Sequence, residues 1–359
     1  MSSNNDNGLW YWPDGLYMLI PVLLTWALWF IVFLEHALNL ASVHEVAIRF
    51  QALFARIVLM FPLVSTVAFV SAALPPIAEW MWFLLSLIEV YCVIAFYAML
   101  IGLGFIFFPG DRFKKAMVES FWTKRPLLRC GPEFPSKESA FTFFTACVVQ
   151  TALVKPVCSL VLASYTAATG DRSFFALQAS MRALSAISLI VSIASILRVY
   201  KFLSEAPGTP LHGHSVLLKF TVIKLLFTFV IINALFLDPM IEAGVIPIDQ
   251  WICSQEALSQ DHGKDFCQIR LTSVILVCEV VCVVIPACFS YRHHGLPRRE
   301  SLPKGQNLSM FFYHTFVTVL DLTSFIFGEV LDSAIDIKLH GSLEERESFL
   351  AETVMETEE

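Results

Sequence analysis

The sequence predicts an all-α membrane protein with seven transmembrane helices. Of its 359 residues, 57% are hydrophobic and 15% are charged, and the hydrophobic residues gather into seven stretches of 20 or more. At ~1.5 Å rise per residue, each stretch is long enough to cross a hydrocarbon core of ~30 Å. Because lipid offers no hydrogen bonds to the backbone, each stretch must be helical. In chain order they are Leu16–Leu38, Leu53–Leu74, Trp80–Phe108, Phe141–Ala168, Phe174–Leu197, Leu217–Leu237 and Leu271–Tyr291.

The lysine and arginine positions predict an N-terminus outside and a cytoplasmic C-terminus. Basic residues that flank a span resist translocation and stay in the cytoplasm. Sixteen of them lie in the tail and in the loops on its side, three lie in the opposite loops and five lie within spans. Residues 1–15 are therefore predicted to be an extracellular stretch, residues 16–291 the seven-helix domain and residues 292–359 a cytoplasmic tail.

The cytoplasmic tail is predicted to contain a further helix and an acidic end. About residues 308–330 are apolar on one side and carry His314, Thr318 and Asp321 elsewhere, and a basic linker precedes them. This pattern favours a cytoplasmic interfacial helix on the inner leaflet. An eighth span is the alternative, and it would put the glutamate-rich end outside.

Cysteines divide by compartment. Cys253 and Cys267 share the one long outer loop, in an oxidising space, so we predict a disulfide between them, with two free thiols as the alternative. Cys130 stands alone in the basic inner loop, where it is a candidate for lipidation by S-palmitoylation. The other six cysteines lie in spans and are expected to be small packing residues.

Charged side chains within the spans are the candidates for function, because each costs ~2.5–3.5 kcal/mol on insertion scales. Glu89, Arg182 and Glu279 lie at similar depths on three helices, where they could form a solute pathway or a structural ion-pair lock. Lys155 lies deeper beside Pro156, and we expect it to receive an anion. On this view Lys155→Gln reduces uptake at near-normal expression, whereas Arg182→Gln reduces expression. Lys224 is close enough to the inner end of its span to snorkel.

Enzyme signatures are missing from the sequence. It contains no HExxH, GxSxG or Walker motif and no metal-spaced set of cysteines or histidines, so we predict no enzyme activity, no cofactor, no metal and no nucleic acid. Seven spans also suggest a receptor. However, the third span opens without a cysteine and the seventh ends Pro286-Ala287-Cys288-Phe289 rather than Pro-x-x-Tyr, which makes a receptor the weaker alternative.

An ordered set of motifs resembles the organic solute transporter alpha subunit family across approximately residues 35–295. The motifs are Glu89-Val90-Tyr91, Phe96-Tyr97, Gln150 followed by Lys155, Lys219-Phe220, the loop from Cys253 to Cys267, and Cys278-Glu279. The vertebrate subunit has a cysteine cluster in the inner loop where this chain has Cys130 alone. The chain therefore looks like a divergent, invertebrate relative.

This resemblance implies facilitated, bidirectional transport of amphipathic organic anions such as steroid conjugates or bile-acid-like solutes. It implies a multi-pass protein of the cell membrane, surrounded by membrane lipids, with a single-span beta subunit as partner. A non-transporting scaffold that affects lipid or protein trafficking is the main alternative. The residues expected to bind substrate are Lys155, Gln150, Glu89, Tyr91, Arg182 and Glu279.

Overall fold

In the computed structural model, the described residues form α-, 3-10 and π-helices and no strands. The structure describes residues 15–39, 45–107, 137–169, 175–205, 216–237, 240–241, 245–246, 263–291, 311–313 and 315. The predicted extracellular stretch up to residue 14, the loops with Cys130 and Cys253, and most of the tail lie outside these residues.

The described residues include seven long helices in succession. A 3-10 turn, Pro75–Ile77, connects the second to the third, and a π-helix, Asn233–Leu237, directly continues the sixth. The helices are α1 (Gly15–Asn39), α2 (Glu45–Ala73), α3 (Ala78–Phe107), α4 (Lys137–Thr169), α5 (Phe175–Glu205), α6 (Val216–Ile232) and α7 (Gly263–Ser290).

Six of these helices, α1 to α5 and α7, are long and apolar enough to cross a membrane. In α6 the apolar helical part, Thr221–Ile232, is shorter, and at Asn233 the α-helix gives way to the π-helix. The predicted all-α membrane class is thus confirmed with six candidate spans. The predicted span Leu217–Leu237, which would make seven, and the orientation stay predictions.

Several helices begin before the predicted spans. The helix α2 begins at Glu45, eight residues before Leu53, and α7 begins at Gly263, eight residues before Leu271. The added turns contain charged residues, which a search for apolar runs excludes. Backbone hydrogen bonding nevertheless continues beyond the hydrocarbon, so the helices extend past the apolar stretches.

The centre of the bundle is formed by α2, α3 and α7. The helix α2 packs against α1, α3 and α7, while α3 also packs against α4, and α7 also packs against α1 and α6. The helix α5 packs chiefly on α4, and their apolar side chains form one continuous core with the central helices. This arrangement places polar residues on α3 and on one face of α4 in the interior.

The described start of the predicted interfacial helix contacts α1. The Phe311 ring is buried, with its centroid 5.3 Å from that of Phe33 on α1, while the exposed Phe312 ring lies 5.4 Å from the same residue. The chain therefore returns to the C-terminal part of α1 after α7. The remainder of the predicted helix lies outside the described residues.

Candidate functional site

An ion pair between Glu89 and Lys155 is buried between α3 and α4. The Lys155 ammonium contacts the Glu89 Oε2 atom, and the two residues are only 7% and 2% exposed, respectively. Counted from the neighbouring helix ends, Ala78 for α3 and Thr169 for α4, Lys155 lies about three residues or ~5 Å deeper. Their long side chains close this offset, so the pair joins two antiparallel helices deep in the bundle.

Further hydrogen bonds hold α4 in place on both sides. Eight residues beyond Glu89 on α3, the Tyr97 hydroxyl lies 2.9 Å from the Thr145 Oγ1 atom on α4. One turn before Lys155, the Thr151 hydroxyl donates to the Ser188 carbonyl on α5 at 3.0 Å. Small hydroxyl residues let neighbouring helices approach closely and bond across the contact. The position of Lys155 is therefore set by contacts to both α3 and α5.

Pro156 affects the backbone next to the ion pair. The helix α4 continues through this proline, which has no N–H to donate to the carbonyl of Ala152 one turn earlier. Ala152 is buried, so the break leaves a backbone acceptor without its usual helical donor, one turn before the ammonium. The site thus combines a charged pair with a local irregularity in helical hydrogen bonding.

The Glu89 carboxylate is only partly satisfied. Its Oε1 atom is buried and has no hydrogen-bond partner among the described residues. A buried ion pair offsets the desolvation of its charges only when further hydrogen bonds satisfy the remaining atoms. The Oε1 atom of Glu89 therefore remains an unused hydrogen-bond acceptor inside the bundle.

A second polar pair joins the end of α6 to α7. The Asn233 amide donates to the Glu279 Oε2 atom at 2.7 Å, and Asn233 is the first residue of the π-helix. Short π-helical segments occur often at functional sites, because the extra residue in a turn changes the direction of the side chains that follow. The Glu279 carboxylate is thus held by an amide rather than by a cation.

Removing the Asn233 amide tests this second pair. We expect Asn233→Leu to lower the free energy of unfolding by up to about 1.5–3 kcal/mol, because Glu279 loses a charge-assisted hydrogen bond. Since Glu279 is only half-buried, the loss should lie toward the lower end of this range. Chemical denaturation of the purified protein measures it. Glu279→Gln is the matched control, since its amide still accepts the hydrogen bond. Equal stability of Asn233→Leu and wild type would contradict the assignment.

The described contacts do not bond the remaining predicted site residues to the central pair. Within the described helices, Glu89 bonds to Lys155 and Glu279 to Asn233, so Glu89 takes its cation from α4 rather than from Arg182, which is half-buried on α5. Tyr91 follows Glu89 by two residues on α3, and Gln150 precedes Lys155 by five on α4. Neither spacing places the two side chains on one helix face. Both residues are half-buried.

Three buried cations, Arg56, Lys219 and Arg270, were not among the predicted site residues. Arg56 on α2 and Lys219 on α6 are both buried. Lys224, which lies five residues after Lys219 on α6, is exposed. The Lys219 Nζ atom lies 4.1 Å from the centroid of the Phe54 ring. Lys219 lies close to the start of an apolar stretch, where a lysine is ordinarily expected to reach the headgroups. In the sequence, the only signal that singles out Lys219 is the Lys219-Phe220 motif of the family resemblance.

The cysteines of the described helices divide into six free thiols and one bonded sulfur. Cys267 is disulfide-bonded, whereas the six cysteines predicted to be packing residues are free. Of the nine cysteines in the chain, only Cys130 and Cys253 then remain as possible intramolecular partners, and both lie outside the described residues. The predicted topology puts Cys253 on the same side as Cys267, so the pairing of these two stays our prediction.

Comparison with known proteins relates the chain to a described family. A family model described as organic solute transporter Ostalpha matches residues 16–296, which include all seven helices. Neither the curated proteins nor the solved structures give a match.

Proposed function

The chain belongs to the organic solute transporter Ostalpha family, and from this premise we propose that it is a facilitative transporter of amphipathic organic anions. Steroid conjugates and bile-acid-like solutes are the substrates that we propose. The observation that carries this proposal is the buried ion pair of Glu89 and Lys155, because it places a cation inside the bundle, where an anionic group could bind.

Exchange of one anion for another explains how Lys155 could serve a moving solute. A buried ammonium without a counter-ion is strongly unfavourable. In the resting protein Glu89 provides the negative charge, and an incoming sulfonate, sulfate or carboxylate takes its place at the Nζ atom. When the solute leaves, Glu89 returns. Lys155 thus stays neutralised throughout, and the contacts of the bound solute offset the cost of leaving the Glu89 carboxylate without its counter-ion. The solute moves down its own gradient in either direction.

The surroundings of the pair support an amphipathic substrate. On the same turns of α4 as Lys155, Leu153 and Val157 are 65% and 55% exposed, which on a membrane helix places them against lipid. The Lys155 ammonium is therefore separated from the bilayer by the width of α4. A solute with an apolar ring system and one negative group matches both environments, since the ring system partitions into lipid and the negative group reaches Lys155.

The proposal includes the setting of the transporter. We propose seven spans, with the π-helix Asn233–Leu237 completing the sixth, an extracellular N-terminus and a cytoplasmic tail in the cell membrane. We also propose a single-span beta subunit as partner, since the family resemblance implies one. Gln150, Tyr91, Arg182 and Glu279 then line the solute path at positions away from the central pair.

Uptake into liposomes tests this function. The purified chain is reconstituted with and without a candidate beta subunit, and entry of a labelled steroid sulfate is followed against protein-free liposomes. We expect saturable uptake that stops when the inner and outer concentrations are equal, and an equal efflux from preloaded liposomes. Absence of uptake under both conditions would refute the transporter proposal and favour the scaffold.

A further inference from the structure

Lys219 lies in an aromatic enclosure at one end of the bundle. It is 3% exposed, and its Nζ atom lies 4.1 Å from the centroid of the Phe54 ring and 5.6 Å from that of the Tyr291 ring. The faces of aromatic rings attract cations. We refer to Lys219, Phe54, Tyr291 and His36 as the Lys219 cage.

Four helices meet in this cage. The C-terminal end of α1 contributes His36, and Tyr291 directly follows α7. The N-terminal parts of α2 and α6 contribute Phe54 and Lys219. The His36 Nε2 atom lies 2.8 Å from the Tyr291 carbonyl oxygen, and the Tyr291 hydroxyl approaches the Lys219 carbonyl at 3.5 Å. These contacts connect α1 and α6 to Tyr291 at the cage.

The charge of the cage is not balanced. Lys155 has Glu89 as its counter-ion, but no carboxylate of the described residues pairs with the Lys219 ammonium, whose contacts are the two aromatic rings. Lys219 also lies in the first turn of α6, where the helix dipole adds positive potential that favours an anion over a cation. The ammonium and the helix end therefore create a buried positive potential that no anion among the described residues matches.

We propose that the Lys219 cage binds the negatively charged group of an amphipath, as an anion site separate from Lys155. A sulfate, sulfonate, carboxylate or phosphate oxygen accepts hydrogen bonds from the Lys219 Nζ atom, and the Phe54 and Tyr291 rings pack against the apolar body. The identity of the amphipath as the transported solute rests on the proposed function. An anionic phospholipid offers the same chemistry, so the experiment distinguishes the two sources.

Binding to the full-length protein in nanodiscs of phosphatidylcholine tests the site. The Glu89→Gln/Lys155→Gln double variant serves as background, so that the central pair does not contribute. The two probes are a labelled steroid sulfate and a short-chain phosphatidylserine, titrated separately. We expect Lys219→Met to weaken binding of at least one probe by about 10-fold or more, as loss of a charge-assisted contact does. Lys219→Arg should retain binding, and Lys224→Met, on the same helix but exposed, should behave like the background.

Thermal unfolding without any probe separates an anion site from a structural lysine. If the cage is an anion site, Lys219→Met removes an unbalanced buried charge, and the midpoint of unfolding should stay the same or rise. Loss of binding for the steroid sulfate identifies the solute as the ligand, and loss for phosphatidylserine alone identifies a lipid.

Unchanged affinity for both probes in Lys219→Met, or a lower midpoint with unchanged affinity in the folded fraction, would overturn the proposal. These binding results do not depend on transport. Lys219-dependent binding by a protein that shows no uptake would refute the proposed function and leave this site standing. Uptake by a protein whose binding of the probes does not depend on Lys219 would refute this site and leave the proposed function standing.

Discussion

Replacing Lys155 with glutamine alone is expected to lower the free energy of unfolding by about 3–5 kcal/mol, because Glu89 would stay buried without its counter-ion. Both partners are almost fully buried, so solvent screening does little to reduce the loss. The measurements are the folded fraction after expression and chemical denaturation of the purified protein. This result would differ from the near-normal expression that the sequence alone led us to expect for Lys155→Gln.

The matched control for this substitution is Glu89→Gln in the same chain. The double variant has no buried charge at this position, and two glutamine amides can bond to each other, so most of the lost stability should return. A Lys155→Gln protein as stable as wild type would show that the ion pair does not form.

Replacing Cys253 with serine is expected to destabilise the protein by about 2–4 kcal/mol, the usual contribution of a disulfide that restricts the unfolded loop. The structure places Cys267 in a disulfide at the start of α7, and Cys253 is the partner that we predict. Mass mapping of the non-reduced, alkylated protein should recover the two cysteine peptides joined and the six helix cysteines alkylated.

The corresponding Cys267→Ser variant and the Cys253→Ser/Cys267→Ser double variant serve as controls. Because each substitution breaks the same bond, all three variants should be destabilised to the same extent rather than additively. Alkylation of both Cys253 and Cys267 without reductant would contradict the disulfide. Recovery of Cys267 joined to Cys130 would contradict both the pairing and the predicted topology.

The all-α membrane class and the family were predictable from the sequence. Apolar runs located α1 to α5 and α7 to within a few turns, because a helix that crosses lipid must be apolar over most of its length. The motifs from Glu89 to Glu279 predicted the family, and the family model confirms it. The change from α- to π-helix at Asn233 was not predictable from hydropathy, which does not distinguish the two helix types.

The partners of the buried charges were only partly predictable. Counting residues from the ends of the predicted spans placed Lys155 deeper than Glu89, and the two side chains contact each other across this offset. In a membrane helix, however, the side that faces lipid and the side that packs are both apolar, so periodicity does not mark the packed face. For this reason the sequence did not reveal that Glu89 meets Lys155 or that Lys219 packs between two aromatic rings.

Uptake of a labelled steroid sulfate by the Glu89→Gln/Lys155→Gln variant tests the central claim most directly. The claim is that Lys155 binds the negative group of the solute, and the double variant removes this cation without leaving a buried charge. At matched amounts of folded protein in liposomes, we predict that saturable uptake falls by about 10-fold or more relative to wild type, in line with the loss of a charge-assisted contact. Uptake equal to wild type by the stable double variant would contradict the claim and show that the ion pair only holds α3 and α4 together.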